Sequence, residues 1–254
     1  MIDTPWTRDG DHHRWTVPEG WGQGRAVFGG LVAGAAARLS QSFVERPLRT
    51  IQTQFLAPVR HGVLEAEFEE LRRGKSATIT RATLRQDDRI SSLFVFTHIE
   101  PRPDSIRVPF PDAPEWKPPE QVMQMPYIAG VTPEFTQHYD FRFAEGSMPF
   151  TGGTRAHFNG YIRAKEDAGV EVADTLGLVD AWPCPTLTIL SRPVAASTVT
   201  WTLHLFDPPS PTAFNRYAFR TELAASGFST SVGRMWNAEG QPVAYSEQTV
   251  AVFD

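Results

Sequence analysis

The last predicted strand of the chain carries a glutamine on a face that otherwise consists of small or apolar residues. The sequence ends in QPVAYSEQTVAVFD. Alternation along this strand places five side chains on one face, namely Ala244, Ser246, Gln248, Val250 and Val252. An amide that leaves water without a partner costs roughly 1–3 kcal/mol. Gln248 therefore either closes a structural hydrogen bond or holds and orients a polar group of a ligand.

The composition limits the kinds of site that this glutamine can serve. The chain has 254 residues, of which 41% are hydrophobic and 21% are charged, as in an ordinary globular protein. A formal net charge of -5 provides no general basic field, so we expect no nucleic-acid partner. Cys184 is the only cysteine, which excludes an intrachain disulfide and a multi-cysteine zinc site. His12 and His13 are adjacent and lie near the terminus, so we expect no metal site there.

No segment of the sequence indicates a membrane or a secretory route. The first residues, MIDTPWTRDGDHHRW, contain acidic side chains and lack the apolar core of a secretory signal. No apolar run approaches the ~20 residues that a membrane span requires. We therefore expect a soluble, cytoplasmic protein without a membrane span.

A proline-rich segment divides the chain into two halves of similar order. Residues 101–119 contain seven prolines, a density that excludes a helix or a central strand. In each half, one long helix precedes four strand-like runs. The predicted helices are AVFGGLVAGAAARLSQSF, which is apolar at helical spacing, and EDAGVEVADTLGLVDAW, which ends at Pro183. The predicted strands are 49–59, 62–74, 76–86 and 89–100, then 197–209, 215–226, 228–237 and 241–253.

This order predicts an α+β fold in which each half wraps an antiparallel sheet around one long helix. The segments FLAPV and LFDPP end matching strands of the two halves. We therefore expect a duplicated unit, with an N-terminal domain at 1–100, a proline-rich linker at 101–127 and a C-terminal domain at 128–254.

Five segments, in order along the chain, resemble the acyl-CoA thioesterase II family. They are RAVFGGLVAG, LRRGKSATITR, LVDAWP, STVTWTLHL and GQPVAYSEQ. Each is weakly specific alone, but their order and spacing together are fairly specific. The resemblance covers most of the chain, except the region 101–160, and implies a tandem (double) hotdog fold.

The resemblance also implies a catalytic site. The family's Asp, Thr or Ser, and Gln fall on Asp180, Thr198 and Gln248. Asp174 is the alternative acid. Thr200 is the alternative hydroxyl, because alternation places Thr198 with Thr200 on the polar face of their strand.

The internal repeat provides an independent comparison for these three positions. Superposing the halves on FLAP and LFDP, and on the last strands, places Asp180, Thr198 and Gln248 opposite three apolar residues: Ala33, Leu48 and Val95. If the polar side chains served only the fold, the first copy of the fold should need them too. This difference favours one functional site, built mainly from the second half.

Two further pairs of residues are candidates for binding the substrate. Gly29 and Gly30 start the first helix, where they allow either close helix–sheet packing or backbone N–H donation to an oxyanion. Arg72 and Lys75 lie in a predicted turn and are candidates for contact with CoA phosphates. The glycines of GWGQGRAVFGG do not follow a strand in the spacing of a dinucleotide fingerprint.

The predicted function is hydrolysis of acyl-CoA to a carboxylic acid and CoA, by a water that Asp180, Thr198 and Gln248 position, without a metal or cofactor. Direct attack by water and an acyl-aspartate intermediate both stay open. The alternatives are a non-catalytic acyl-CoA-binding protein and, less favoured, a hotdog hydratase or dehydratase, because LVDAWPCPTL contains no histidine. Acyl preference is open, and pairing into a homodimer or larger homo-oligomer stays possible.

Overall fold

In the part of the chain that the structure describes, two α-helices pack against a large antiparallel sheet. The computed structural model describes residues 5–10, 12–103, 106–166, 171–210 and 212–253. The helices are α1 (Gly29–Phe43) and α2 (Val172–Asp180). The strands of the first half are β1 (Thr7–Asp9), β2 (His12–Val17), β3 (Gly22–Gln23), β4 (Ala26–Val27), β5 (Leu48–Phe55), β6 (Gly62–Arg73), β7 (Ala77–Gln86) and β8 (Arg89–Ile99). Those of the second half are β9 (Met123–Met125), β10 (Tyr139–Gly146), β11 (Phe158–Ala164), β12 (Ala195–Leu205), β13 (Asn215–Ala225), β14 (Phe228–Trp236) and β15 (Pro242–Phe253).

Within the described residues, 13 strands form one continuous sheet in the order β1-β2-β6-β7-β8-β5-β12-β15-β14-β13-β11-β10-β9. The two halves meet where β5 pairs with β12, with Ile51 opposite Leu203. Inward-facing side chains of both halves and both helices share one hydrophobic core. The predicted α+β arrangement, with one helix against an antiparallel sheet in each half, is therefore what the structure shows.

The two helices lie antiparallel to each other. Arg38, near the end of α1, forms a salt bridge with Glu171, which precedes α2, at 2.6 Å. At the other end, the first residues of α1 contact Asp180, the last residue of α2. The beginning of α1 and the end of α2 therefore share one end of the molecule.

The helices are shorter than the sequence predicts. Ala26–Val27 pair with Gly22–Gln23 as a short hairpin, so α1 begins only at Gly29. A reciprocal capping box between Glu171 and Asp174 starts α2 at Val172. Residues 167–170 of the second predicted helix lie outside the described residues.

All eight predicted strands are present, but four strands per half was an underestimate. The strand β2 adds to the first half beside β6, and β10 and β11 add to the second half beyond β13. These strands lie before the helix of their half. HHRWTV and FNGYIRA are only six and seven residues long, although Asp9-Gly10 precedes the first and Gly152-Gly153 lies between β10 and the second.

The proline-rich region crosses the surface between the halves. In its described part, the region up to residue 118 has neither helix nor strand, and a short 3-10 helix follows at Pro119–Gln121. The strand β9, inside the predicted linker 101–127, pairs with β10. The predicted domain boundaries stay a prediction. Over the described chain, no helix is both long and apolar enough to cross a membrane.

Matching irregularities in the two halves define which residues are equivalent. The pairing of β5 with β8 shifts register between Leu48 and Thr50, and the pairing of β12 with β15 shifts between Thr198 and Thr200. Aligning these β-bulges makes Leu48 the counterpart of Thr198, as the repeat predicts. Gln248, opposite Trp201, then corresponds to Phe96, opposite Ile51. The predicted counterpart Val95 was wrong by one residue, because sequence matching does not locate the bulge.

Candidate active site

Asp180 lies where the end of α2 meets the beginning of α1. Gln248 Nε2 donates a hydrogen bond of 3.0 Å to Asp180 Oδ1. The backbone N–H of Gly30 donates a second hydrogen bond to the same carboxyl group. Since no side chain caps α1 at Phe28, the carboxylate of α2 serves as the N-terminal partner of α1. The structure thus brings together Asp180, Gln248 and the first turn of α1.

Gly29 and Gly30 make this close contact possible. A Cβ atom on Gly29 would lie 3.0 Å from Asp180 Oδ2, and one on Gly30 would lie 2.6 Å from Phe28 Cζ and 3.0 Å from Asp180 Cβ. Any larger residue would push the carboxylate away from the helix. The two glycines therefore serve the approach of the helices at the site.

The environment of Asp180 favours its neutral form. Burial raises the pKa of the carboxyl group to about 7, although the hydrogen bonds from Gly30 and Gln248 act in the opposite direction. Asp180 is only half-buried as a whole residue. The carboxyl group is thus desolvated by the protein around it, yet part of the residue is still accessible to solvent. An acid of this pKa exchanges protons readily at neutral pH.

Gln248 lies on the inner face of the sheet, as the alternation predicts. Its exposure is 5%, and its neighbours across the sheet are Trp201 on β12 and Ser231 on β14. Its hydrogen bond to Asp180 supplies the polar partner that a buried amide requires.

Thr198 lies on the same inner face, contrary to the alternation along its strand. The β-bulge leaves Val199 unpaired, so Thr198 pairs with Val250 while Thr200 pairs with Thr249. Paired residues project to the same side, and Thr198 therefore shares the side of Val250 and Gln248. Thr200 projects to the outer face. The grouping of Thr198 with Thr200 on one polar face was wrong, because one extra residue reverses the alternation.

Two predicted groups lie at the opposite end of the helix pair. Asp174 is buried in the first turn of α2, where its carboxylate accepts from the N–H of Glu171 at 3.3 Å. Arg46 follows the end of α1 and donates to the carbonyl of Lys75. The 15 residues of α1 span about 21 Å. The structure therefore does not bring Asp174 or the turn of Arg72 and Lys75 together with Asp180.

Buried aromatic side chains surround the inner side of the site, and the sequence did not indicate them. Tyr217 on β13 and Trp182, two residues after Asp180, have ring centroids 6.1 Å apart. The Tyr217 hydroxyl and Trp182 Nε1 are buried without a hydrogen-bond partner. A Cβ atom on Gly233 would lie 2.0 Å from the Tyr217 hydroxyl, so this glycine makes room for it. A glycine inside the strand run FSTSVGRMW was the available signal.

The equivalent place in the first half is closed by a hydrogen-bond network. Ser40 Oγ lies 2.8 Å from His98 Nε2 and 2.9 Å from Thr80 Oγ1, and all three side chains are buried. His98 Nδ1 donates to the carbonyl of Arg46 at 3.0 Å. Phe96 stands where Gln248 stands in the second half. The molecule therefore has two related inner surfaces, of which only the one at Asp180 carries the acid–amide pair.

No group of three or more His, Cys, Asp or Glu side chains among the described residues is arranged to hold a metal ion. The chemistry that this site can perform is that of a carboxylate with a pKa near neutrality, an oriented amide and a hydroxyl on the same face. These groups suit the positioning and deprotonation of a water molecule.

Two family models match nearly the whole chain. Residues 17–99 match the acyl-CoA thioesterase N-terminal domain, and residues 111–252 match the acyl-CoA thioesterase C-terminal domain. The comparison with curated proteins finds no match.

Several solved structures have the same fold. A conserved hot dog protein of unknown function from Alicyclobacillus acidocaldarius is 21% identical, with a TM-score of 0.88 over 98% of this chain and 96% of that one. A putative thioesterase II from Thermobifida fusca YX is 20% identical, with a TM-score of 0.86 over 99% and 96%. The acyl-CoA thioesterase II TesB2 from Mycobacterium marinum is 14% identical, with a TM-score of 0.76 over 98% and 95%. The double hotdog fold that the resemblance implies is thereby confirmed.

Proposed function

The chain belongs to the acyl-CoA thioesterase family and is a thioester hydrolase, and we propose that it hydrolyses acyl-CoA at Asp180. The observation that carries this proposal is the hydrogen bond of 3.0 Å between a buried amide, Gln248, and a desolvated carboxyl group at the start of α1. The first half of the molecule shares the fold but has Phe96 in place of the amide. A role in the fold alone therefore does not account for the pair.

Asp180 acts as the general base in this proposal. The pKa of about 7 leaves a substantial fraction of the carboxyl group ionised at neutral pH and makes it a stronger base than an exposed aspartate. The water oxygen attacks the thioester carbonyl carbon as the carboxylate takes one proton. The C–S bond then breaks, and the departing CoA sulfur receives the proton that Asp180 took from the water, which gives the free thiol and the carboxylic acid and restores the carboxylate.

Gln248 and Thr198 position the water beside the base. The Gln248 Nε2 donates to Asp180, which leaves its Oε1 as an acceptor for the water. The Thr198 hydroxyl, on the same inner face, supplies a second polar contact. Holding the water and the thioester together in this way replaces a costly encounter in solution.

The first turn of α1 stabilises the developing oxyanion. The N–H of Gly30 already donates to Asp180, so this role falls to the N–H of Gly29 and to the positive end of the helix dipole. We favour direct attack by water over an acyl-aspartate. Proton transfer can use a free lone pair of the carboxylate, whereas attack on carbon would break its hydrogen bonds with Gln248 and Gly30.

The proposal predicts that Asp180→Asn reduces the release of CoA thiol from a panel of acyl-CoA thioesters by at least about a hundredfold, since the general base is lost. Asp174→Asn is the matched control, because it makes the same change at the other end of α2. We expect Asp174→Asn to retain turnover at some cost in stability. Steady-state rates and melting temperatures of both variants provide the measurement.

Full activity in Asp180→Asn, or loss of activity in Asp174→Asn with an unchanged fold, would contradict the assignment of the base. Tight binding of acyl-CoA by the native protein without turnover of any chain length would instead favour the non-catalytic binding protein.

A further inference from the structure

We infer that Tyr217 is a specificity-determining residue whose hydroxyl donates a hydrogen bond to an oxygen on the acyl group of the substrate. The inference rests on the proposed function, because it assumes that the thioester lies at Asp180. It assigns a substrate class, namely acyl chains that carry a hydroxyl or carbonyl oxygen within their first few carbons.

The Tyr217 hydroxyl is fully buried, and Ser246 is its polar neighbour. The residue is 0% exposed, and its hydroxyl has no partner in hydrogen-bond geometry, although Ser246 lies beside it. A polar group of this kind normally has a partner, because an unsatisfied buried donor destabilises the fold. Ser246 Oγ accepts a hydrogen bond of 2.9 Å from Trp201 Nε1 and can donate its own proton to the Tyr217 oxygen, which leaves the Tyr217 proton for a substrate oxygen.

The sheet places this hydroxyl next to the catalytic pair. Gly233, against which the hydroxyl packs, pairs with Ser246 on β15. Ser246 and Gln248 are two residues apart on the inner face, which corresponds to about 7 Å along a strand. Electrostatic coupling between Tyr217 and Asp180 agrees with this proximity.

The exposure of the residues along β12 shows on which side of the Asp180–Gln248 pair the Tyr217 hydroxyl lies. Residues 195–197 are exposed, Thr198 is half-buried, and Trp201 and Leu203 are 1% exposed. Thr198 pairs with Val250, whereas Leu203 pairs with Ser246. The level of Ser246, where the Tyr217 hydroxyl packs, therefore lies farther from the exposed start of β12 than the level of Gln248. A thioester that enters from the exposed end would direct its acyl chain toward Tyr217 and leave CoA outside.

The first half of the molecule shows that the fold does not require this hydroxyl. Register shifts in β6 and β13 match, and they make Ala66 the counterpart of Tyr217 and Ala82 the counterpart of Gly233. Phe94 likewise corresponds to Ser246. All three counterparts are apolar and 0% exposed. The polar hydroxyl and the glycine that accommodates it thus occur only in the half that carries Gln248.

The Tyr217 hydroxyl is protonated and can therefore donate a hydrogen bond. Burial raises the pKa of the Tyr217 hydroxyl well above its usual value, so it keeps its proton over the working pH range. A site built to hydrogen-bond a substrate oxygen discriminates against an analogue that lacks it, since the buried donor then stays unpaired.

The test compares matched thioesters that differ in one oxygen. Butyryl-CoA and β-hydroxybutyryl-CoA form one pair, and octanoyl-CoA and β-hydroxyoctanoyl-CoA form the other. We expect the native protein to show a higher kcat/KM for the β-hydroxy member of at least one pair. Tyr217→Phe should reduce that preference by about tenfold while it retains hydrolysis of the unsubstituted thioester.

Tyr161→Phe is the matched control. Its hydroxyl donates to the carbonyl of Lys117 at 3.0 Å, away from the Gln248 strand. This variant should lower the melting temperature and leave the preference unchanged. Tyr217→Phe should keep or raise the melting temperature of the free protein, because it removes an unsatisfied buried hydroxyl.

The inference is overturned if Tyr217→Phe leaves the ratio of the two kcat/KM values unchanged, or if it slows both members of each pair equally. Either result leaves the proposed hydrolase activity intact. If both members of a pair bind but neither is hydrolysed, the proposed function fails. The inference is then decided by the ratio of the dissociation constants of the two members, which Tyr217→Phe should change; an unchanged ratio would contradict the inference.

Discussion

At the scale of single residues, the unusual group is a carboxylate at the meeting point of two helices. Asp180 accepts from Gly30 and Gln248, yet burial outweighs both hydrogen bonds and keeps its pKa near 7. A structural capping carboxylate would gain from full ionisation. The environment of Asp180 instead matches that of a group that takes and releases a proton.

Substitution of Thr198 and of Thr200 tests which of the two hydroxyls faces the site. Thr198→Val should reduce kcat by about tenfold to a hundredfold, since the water loses one positioning contact. Thr200→Val, the same change on the outer face, should leave kcat unchanged. Acyl-CoA hydrolysis by the two variants, with melting temperatures as a control for folding, checks this expectation. An equal loss in both variants, or a loss only in Thr200→Val, would contradict the inner position of Thr198.

Single residues also show what a sequence can and cannot reveal about a site. Gln248 stood out because a long amide among small neighbours on an alternating face is physically unusual. Asp180 carried no such signal, because an acid at the end of a helix is ordinary, and only the family resemblance identified it. Tyr217 was not predicted, since its importance depends on Gly233, which lies on the neighbouring strand β14 and is 16 residues away in sequence.

At the scale of helices and strands, the glycines at the start of α1 determine how close Asp180 lies to the helix. Gly30→Ala should lower kcat strongly and destabilise the protein by about 1–3 kcal/mol, because its Cβ would overlap Phe28 and Asp180. Gln41→Ala, an exposed position on the same helix, is the control and should change neither quantity. Chemical denaturation and steady-state kinetics measure both effects. Unchanged kinetics in Gly30→Ala would show that the contact does not matter for catalysis.

The eight strands that follow the two helices were predictable from the sequence, whereas the β-bulge in β12 was not. The eight runs after the helices have clear alternation and turns between them, and all of them form strands. The β-bulge at Val199 adds one residue to β12, and no turn residue or composition change in AASTVTWTLHL announces it. Alternation therefore assigned Thr198 to the wrong face.

At the scale of the whole molecule, the two halves share one fold but differ inside. The second half carries the polar site at Asp180, and the equivalent place in the first half is a closed hydrogen-bond network. The repeat was visible in the sequence, because the order of helix and strands recurs on both sides of the proline-rich region. The network of Ser40, Thr80 and His98 was not predicted, since these residues are distant in sequence and meet only through the sheet.

This closed network should serve stability alone. Ser40→Ala should destabilise the protein by about 1–3 kcal/mol, because His98 Nε2 and the Thr80 hydroxyl lose their buried partner. Turnover of acyl-CoA at saturating substrate should not change. Denaturant titration together with kcat tests both statements, and a loss of kcat without a loss of stability would indicate a second functional site.

The central claim is that a desolvated Asp180, held by Gln248, is the base. Its most direct test is the pH dependence of kcat/KM for one acyl-CoA thioester, in the native protein and in Gln248→Ala. The rate should rise with pH through an inflection near 7 and then level off, since only the ionised carboxylate accepts a proton. Gln248→Ala should lower the plateau and move the inflection to higher pH, because the amide hydrogen bond favours the ionised form. A native profile that is flat between about pH 5 and 8, or an inflection that Gln248→Ala leaves in place, would contradict the claim.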